Sequence, residues 1–223
     1  QMGLVPEFRF SQLEWFWEWF DVELDNNCFG KLDIKCRRIG DTELALFAVW
    51  ERTTRYRDSD SGIIHLTEDG ALGNMSRLVK GNNGMPFFYK PINTGTTDSK
   101  GGELRFAIPG EQVTTKRLRE GYFKDDTEAG LRSSIYCEPA KTLSFDGVQL
   151  RVHYADEVFK HANENKFNVR KYWENVKRTM SLNNGATIVG KSIQTSTIEE
   201  VEDGKALEAA KKMVDASLKI GPN

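Results

Sequence analysis

The sequence is poor in cysteine, nearly neutral and without a long apolar run, and each shortage removes a class of protein. Three cysteines, Cys28, Cys36 and Cys137, are odd in number, far apart and free of any CxxC pair, so neither a disulfide framework nor a zinc site is signalled. A reducing cytoplasm fits this usage. No stretch approaches the roughly 18 apolar residues of a membrane helix, and Gln1 to Phe10 show no basic segment leading into an apolar one, the form of a secretory signal. With 31 basic and 33 acidic residues the net charge is −2, which excludes a wholly basic nucleic-acid coat but leaves room for a local basic face. His65, His153 and His161 are scattered and read as structural or surface residues rather than metal ligands. No nucleophile elbow and no dinucleotide GxGxxG is present.

What is present is a globular balance, 39% hydrophobic and 29% charged residues, and a length of 223 residues that suits one α/β core. Residues Ser11–Leu24 read as a helix with Ser11 as candidate cap and too many aromatics (Trp15, Phe16, Trp17, Trp19, Phe20) for one face. Core packing plus a contact to a neighbouring domain is the expectation, with adenine stacking as the alternative. Strand patterns are expected at Lys31–Cys36, Ile63–Thr67, Leu104–Pro109, Ser133–Glu138, Gln149–Ala155 and Ala186–Thr197. Helices are expected at Glu43–Tyr56, Asp69–Lys80, Val169–Leu182 and Lys205–Leu218. Gly81–Pro86 (GNNGMP) reads as a break and Asn93–Gly102 as an exposed, glycine-rich loop. Alternation of this kind predicts a wound sheet with helices on both faces.

Strand, tight loop and helix follow one another around Lys35-Cys36-Arg37-Arg38-Ile39-Gly40-Asp41-Thr42, the order a phosphate loop needs. In the pattern GxxxxGK[ST], backbone N–H groups at a helix N-terminus hold phosphate, a lysine reaches its outer oxygens and a hydroxyl holds Mg²⁺. Gly40 and Thr42 occupy the second glycine and hydroxyl positions, whereas Asp41 stands where the lysine belongs and Lys35 where the first glycine belongs. A carboxylate beside triphosphate is repulsive, so Lys35, Arg37 and Arg38 are the cations available to offset it.

A second cluster is the pair Asp156-Glu157 at the end of the strand LRVHYA, about 115 residues beyond Gly40. Adjacent acids there can divide the work, Asp156 holding the metal and Glu157 orienting and deprotonating water. Arg151 and His153 make this strand more polar than a central strand should be. A third cluster, Thr195-Ser196-Thr197, ends the following strand and offers hydroxyls to a phosphate. Lys116, Arg117, Arg119 and Lys124 form the densest basic cluster and are candidates for contacting nucleic-acid backbone.

With the three clusters in this order, the chain resembles the large terminase subunit of tailed phages, in particular the divergent forms of Bacteroidetes phages. The likeness also rests on GMPFFYKP (Gly84–Pro91), LRSSIYCEPAKTLSFD (Leu131–Asp146), YADEVFK (Tyr154–Lys160) and GKSIQTSTIEEVEDG (Gly190–Gly204). The resemblance implies an ASCE-type P-loop NTPase, a three-layer α/β fold with a mainly parallel central sheet, and an ATP- and Mg²⁺-dependent motor that drives double-stranded DNA into a procapsid. By the same resemblance Lys35, Ile39, Gly40, Asp41 and Thr42 line the nucleotide, Thr42 and Asp156 hold the metal, and Glu157, Arg37 and Arg38 act in catalysis. Thr195, Ser196 and Thr197 become the segment coupling hydrolysis to DNA movement. Implied partners are duplex DNA, the portal protein, the small terminase subunit and like subunits in a ring, at the procapsid portal in the host bacterial cytoplasm. The whole chain, residues 1–223, reads as the motor domain, with the family's nuclease domain absent and no DNA cutting expected. A helicase-like P-loop ATPase and a non-catalytic scaffold that has lost nucleotide at Asp41 are the alternatives.

Overall fold

In the computed structural model, residues 8–35, 39–93, 102–106, 131–160, 169–182 and 187–197 are described, together with 208, 211, 212, 214 and 215. Helix α1, Phe10–Leu24, leads into strand β1, Gly30–Lys35. Helix α2 spans Asp41–Arg55, strand β2 Asp60–His65 and helix α3 Glu68–Gly84. Strands β3 (Glu103–Phe106), β4 (Ser133–Pro139) and β5 (Leu150–Ala155) follow, then helix α4, Val169–Thr179. Strands β6 (Ser181–Leu182), β7 (Thr187–Ile188) and β8 (Lys191–Thr197) come next.

Six strands form one sheet in the order β1-β8-β5-β2-β4-β3, and β6 and β7 make a separate antiparallel pair. The first five are parallel and only β3 runs against its neighbour. Because parallel strands need crossover connections, helices are laid on the faces. Side chains of Trp15, Leu44, Val49, Met75, Val152, Tyr154 and Ile193 share one core with α1, α2 and α3. On the opposite face Ile64, Leu150, Ala155, Phe159, Tyr172 and Val176 form a second core beneath α4. The expected three-layer α/β architecture with a mainly parallel sheet is therefore the observed one.

Local chemistry accounts for the helices that frame the sheet. The first turn of α2 carries Asp41 and Glu43 and its last turn Arg52 and Arg55, charges that complement the helix dipole at both ends. In α3, Thr67 caps the N-terminus by accepting the Gly70 N–H at 3.2 Å. That helix runs through the expected break at Gly81 as far as Gly84. Asn82 is 1% exposed there and accepts the Trp50 indole N–H at 3.2 Å, a tertiary contact that outweighs the low helix propensity of the GNNG run.

Other boundaries also moved. Ser11 is not the cap of α1: the helix starts at Phe10, with Arg9 at the cap position and its backbone N–H donated to Gln12 Oε1 at 2.9 Å. The expected helix to Leu182 stops at Thr179, where Ser181 and Leu182 turn into β6, and the strand expected from Ala186 is split into β7 and β8. The polar strand β5 is resolved by a bulge. Asp60 pairs with Leu150 and Ser61 with Val152, so Arg151 is the extra residue and remains exposed. His153 is instead fully buried, between Ser192 Oγ at 3.0 Å and the Tyr172 hydroxyl at 2.5 Å, as a buried polar group requires.

Of the α1 aromatics, Trp15 and Trp19 enter the core, while Trp17 and Phe20 are exposed. The junction of α1 with β1 is fastened by Lys191, whose ammonium, 6% exposed at the start of β8, donates to the Asp25 and Cys28 carbonyls at 2.5 Å each. Burial pulls its pKa down. Of the calls outside the described residues, the loop 94–101, the end of the Leu104–Pro109 strand and most of the Lys205–Leu218 helix are the main ones.

Candidate active site

Strands β1, β8 and β5 are adjacent and parallel, so their carboxyl ends lie side by side. Lys35 is in register with Thr197, and Ala155 with Gln194. Residues 35, 156–157 and 195–197, scattered over the chain, thus meet at one edge of the sheet, where open α/β sheets place their ligands.

Gly40 begins α2 with φ 98°, a left-handed conformation suited to glycine. A Cβ there would also stand 3.0 Å from Gln12 Nε2. The turn puts Thr42 within reach of Lys35, whose Nζ donates to Thr42 Oγ1 at 3.1 Å and lies 3.9 Å from Asp156 Oδ1. Lys35 is 8% and Asp156 6% exposed, so this ion pair sits where dielectric screening is weak. Thr195 Oγ1 donates to the same Asp156 oxygen at 3.0 Å, and the Tyr154 hydroxyl is 3.3 Å from Thr195 Oγ1. Burial, reinforced by the Asp156 carboxylate, holds the Tyr154 phenol well above its ordinary pKa, so it stays neutral.

Glu157 adopts φ 54°, an uncommon conformation for a non-glycine residue. Its Oε2 accepts the Thr197 N–H at 3.1 Å and the Thr197 hydroxyl at 2.9 Å, with Lys160 Nζ at 3.4 Å. Ser196 Oγ, on the opposite face of β8, accepts the Phe159 N–H at 3.4 Å. Every residue of β8 is buried, yet the strand is mostly polar because these side chains find partners.

Asp41, in the position of the missing loop lysine, is the first residue of α2 and 8% exposed. Burial raises its carboxyl pKa, opposed by Lys35. Asp33 behaves alike: burial raises it, while Lys31 and the Trp15 indole, 2.7 Å from Oδ2, oppose the rise. The ammonium nearest the Thr42 hydroxyl among the described residues is that of Lys35.

The geometry therefore joins Lys35, Gly40, Thr42, Asp156, Glu157, Thr195 and Thr197, with Ile39 half-buried at the turn. Arg37 and Arg38, and the basic cluster Lys116, Arg117, Arg119 and Lys124, lie outside the described residues. Sequence reasoning overlooked Tyr154, Lys160 and Gln12. Tyr154 was hidden inside an ordinary strand pattern, Lys160 inside a short 3₁₀ turn, and Gln12 on an aromatic helix whose approach to Gly40 is tertiary. Thr42 and Asp156 offer the hard oxygen donors that Mg²⁺ prefers. Among the described residues no group of three or more acidic, histidine or cysteine side chains is placed to hold a metal by itself. Nor is any described helix long and apolar enough to cross a membrane.

No protein-family model and no curated protein sequence matches the chain. Solved structures do. The ATPase domain of the Thermus phage P74-26 large terminase matches with a TM-score of 0.54 at 16% identity, over 87% of this chain and 66% of that one. An arginine-to-alanine variant of the same domain gives a TM-score of 0.56 at 18% identity, over 90% and 68%. The HK97 bacteriophage large terminase gives 0.59 at 13% identity, over 87% of this chain but 34% of that one. The class defined by the sheet order is a three-layer α/β domain with a mainly parallel sheet. Within that class the chain has the fold of large terminase ATPase domains.

Proposed function

We propose that this chain is the ATP-hydrolysing motor domain of a phage terminase large subunit, driving double-stranded DNA into the procapsid. The observation that supports it most is the convergence of three distant clusters on the carboxyl ends of β1, β8 and β5, connected through Lys35, Thr42, Asp156 and Thr195. A chance resemblance of short motifs gives no reason for that meeting.

In this reading the turn at Ile39–Gly40 and the N-terminus of α2 receive the phosphates of ATP, and Lys35 neutralises their charge. Thr42 and Asp156 would hold Mg²⁺, which when bound supplies electrostatic stabilisation of the phosphates. Thr195 positions Asp156. Glu157 orients and deprotonates water, which requires release from the Thr197 donors that hold its carboxylate. Thr197 ends the strand that also bears Thr195, so movement of Glu157 and of the Thr195–Thr197 segment is coupled through one hydrogen-bonded unit. Arg37 and Arg38 are assigned to charge on the transferring phosphoryl group, and Asp41 to the rim of the loop. The partners proposed are duplex DNA held by its phosphates, the portal protein, the small terminase subunit and further copies in a ring, in the host cytoplasm at the portal. Lys116, Arg117, Arg119 and Lys124 are the proposed DNA contacts.

Calorimetric titration with Mg²⁺ and a non-hydrolysable ATP analogue tests the site. Binding that Lys35→Ala and Asp156→Ala both weaken is expected, followed by ATP hydrolysis that duplex DNA stimulates more than single strands. Stimulation by single strands alone would favour a helicase-like ATPase, and no binding at millimolar analogue would remove the enzymatic reading in favour of a scaffold.

A further inference from the structure

The two oxygen atoms best placed to take a divalent cation, Thr42 Oγ1 and Asp156 Oδ1, already share one. Lys35 Nζ lies 3.1 Å from the first and 3.9 Å from the second. The ammonium is buried at the end of the edge strand β1, and Asp156 is buried beside it. A dication bound to both oxygens would have to stand within about 5 Å of that ammonium, a like-charge repulsion well above thermal energy when screening is weak. Among the described residues compensation is small, since Asp41, the carboxylate that feels Lys35, is buried and holds its proton more tightly than usual. The pair amounts to one carboxylate and one hydroxyl, the described residues contain no larger acidic cluster, and Mg²⁺ requires about six oxygens in a near-octahedral set.

Resting on the reading of this edge as a nucleotide site, we infer that Lys35 is a resident cation that keeps free divalent metal off Thr42 and Asp156. It yields the position only when phosphate oxygens draw its ammonium away. Lysine suits such a part because its charge is a compact point on a flexible four-carbon stem, able to swing from one acceptor to another without unfolding the strand that carries it. A lysine in the usual loop position, before the hydroxyl, would start from α2; starting from β1 it lies across the metal position instead. Asp41, at that usual position, adds no second cation. Metal and nucleotide then bind as one unit, and the protein is not loaded with metal alone.

The test uses Mn²⁺ without nucleotide, followed by paramagnetic broadening of the NMR signals of the full chain. In the unaltered protein, signals around Thr42, Asp156 and Thr195 should be no more broadened than those of exposed carboxylates. Lys35→Gln should lower the Mn²⁺ concentration needed for broadening at this edge at least tenfold, and Lys35→Gln combined with Asp156→Asn should abolish the gain. Equal broadening with and without Lys35, or none in either, overturns the inference. A measurement on the unaltered chain guards against a variant that does not fold. The Lys35 ¹⁵Nζ resonance should stay put on adding MgCl₂ and shift on adding Mg²⁺ with the ATP analogue, and a shift with MgCl₂ alone counts against the exclusion. Calorimetry on the same samples separates the two ideas, since failure to bind Mg²⁺ and analogue together removes the nucleotide reading itself.

Discussion

Removing the Thr195 hydroxyl is the sharpest probe of how the three strand ends are joined. Thr195→Val keeps the shape and deletes a donor 3.0 Å from Asp156 Oδ1 in a setting where Thr195 is fully buried. A hydrogen bond to a charged group is worth about 1.5–3 kcal/mol, and the burial of both partners places this one toward the upper half. For a domain of this size about 2–4 °C of melting temperature corresponds to each kcal/mol, so a fall of roughly 4–12 °C is expected. Thermal unfolding followed by circular dichroism, with Asp156→Asn and the double variant, closes a cycle. The coupling between the two positions should be about 1–3 kcal/mol, because the second change finds the bond already gone. A loss under about 0.5 kcal/mol in Thr195→Val, or strictly additive variants, would refute the placement of Asp156 against β8 and with it the shared edge.

Lys191→Met should destabilise the chain by about 2–4 kcal/mol, since it leaves the Asp25 and Cys28 carbonyls without their charged donor. Urea unfolding at constant slope measures it, and an unchanged midpoint would contradict the fastening role. Thr197→Val removes one of two Thr197 bonds to Glu157 and, if Glu157 must leave that pocket to reach water, should raise the DNA-independent ATP turnover several-fold. An equal or lower turnover with folding intact would mean that the hydrogen bond instead holds Glu157 in its working position. Asp41, whose pKa burial raises in the folded state, binds its proton more tightly folded than unfolded. Its contribution is then fully present below the unfolded carboxylate range, near pH 4, and is lost as pH rises through the higher folded pKa. Asp41→Asn should consequently flatten part of the decline of stability above pH 4; a parallel pH profile for variant and parent would speak against a buried carboxyl there.

The sequence by itself determined the alternation of strands and helices, the loop at Gly40, the acidic pair at the end of β5 and the hydroxyls at the end of β8. All four are local signals: apolar periodicity, a glycine ahead of a helix, and polar residues abruptly ending a strand pattern. It also determined the puzzle of Asp41, because a loop pattern missing its lysine is visible in eight residues. Where tertiary partners decided, local rules failed. Arg151 looked disqualifying for a central strand until a bulge in β5 set it outside the register, and GNNG looked like a break until Trp50 engaged Asn82. The order β1-β8-β5 was not legible, since nothing local says that the last strand inserts between the first and the fifth. Only that insertion brings Asp156 beside Lys35, which the turn at Gly40 already holds near Thr42, and Thr197 to Glu157. The meeting of the Lys35 ammonium with Asp156 was therefore decided by strand order, through the few ångströms it leaves between side chains more than a hundred residues apart in the chain.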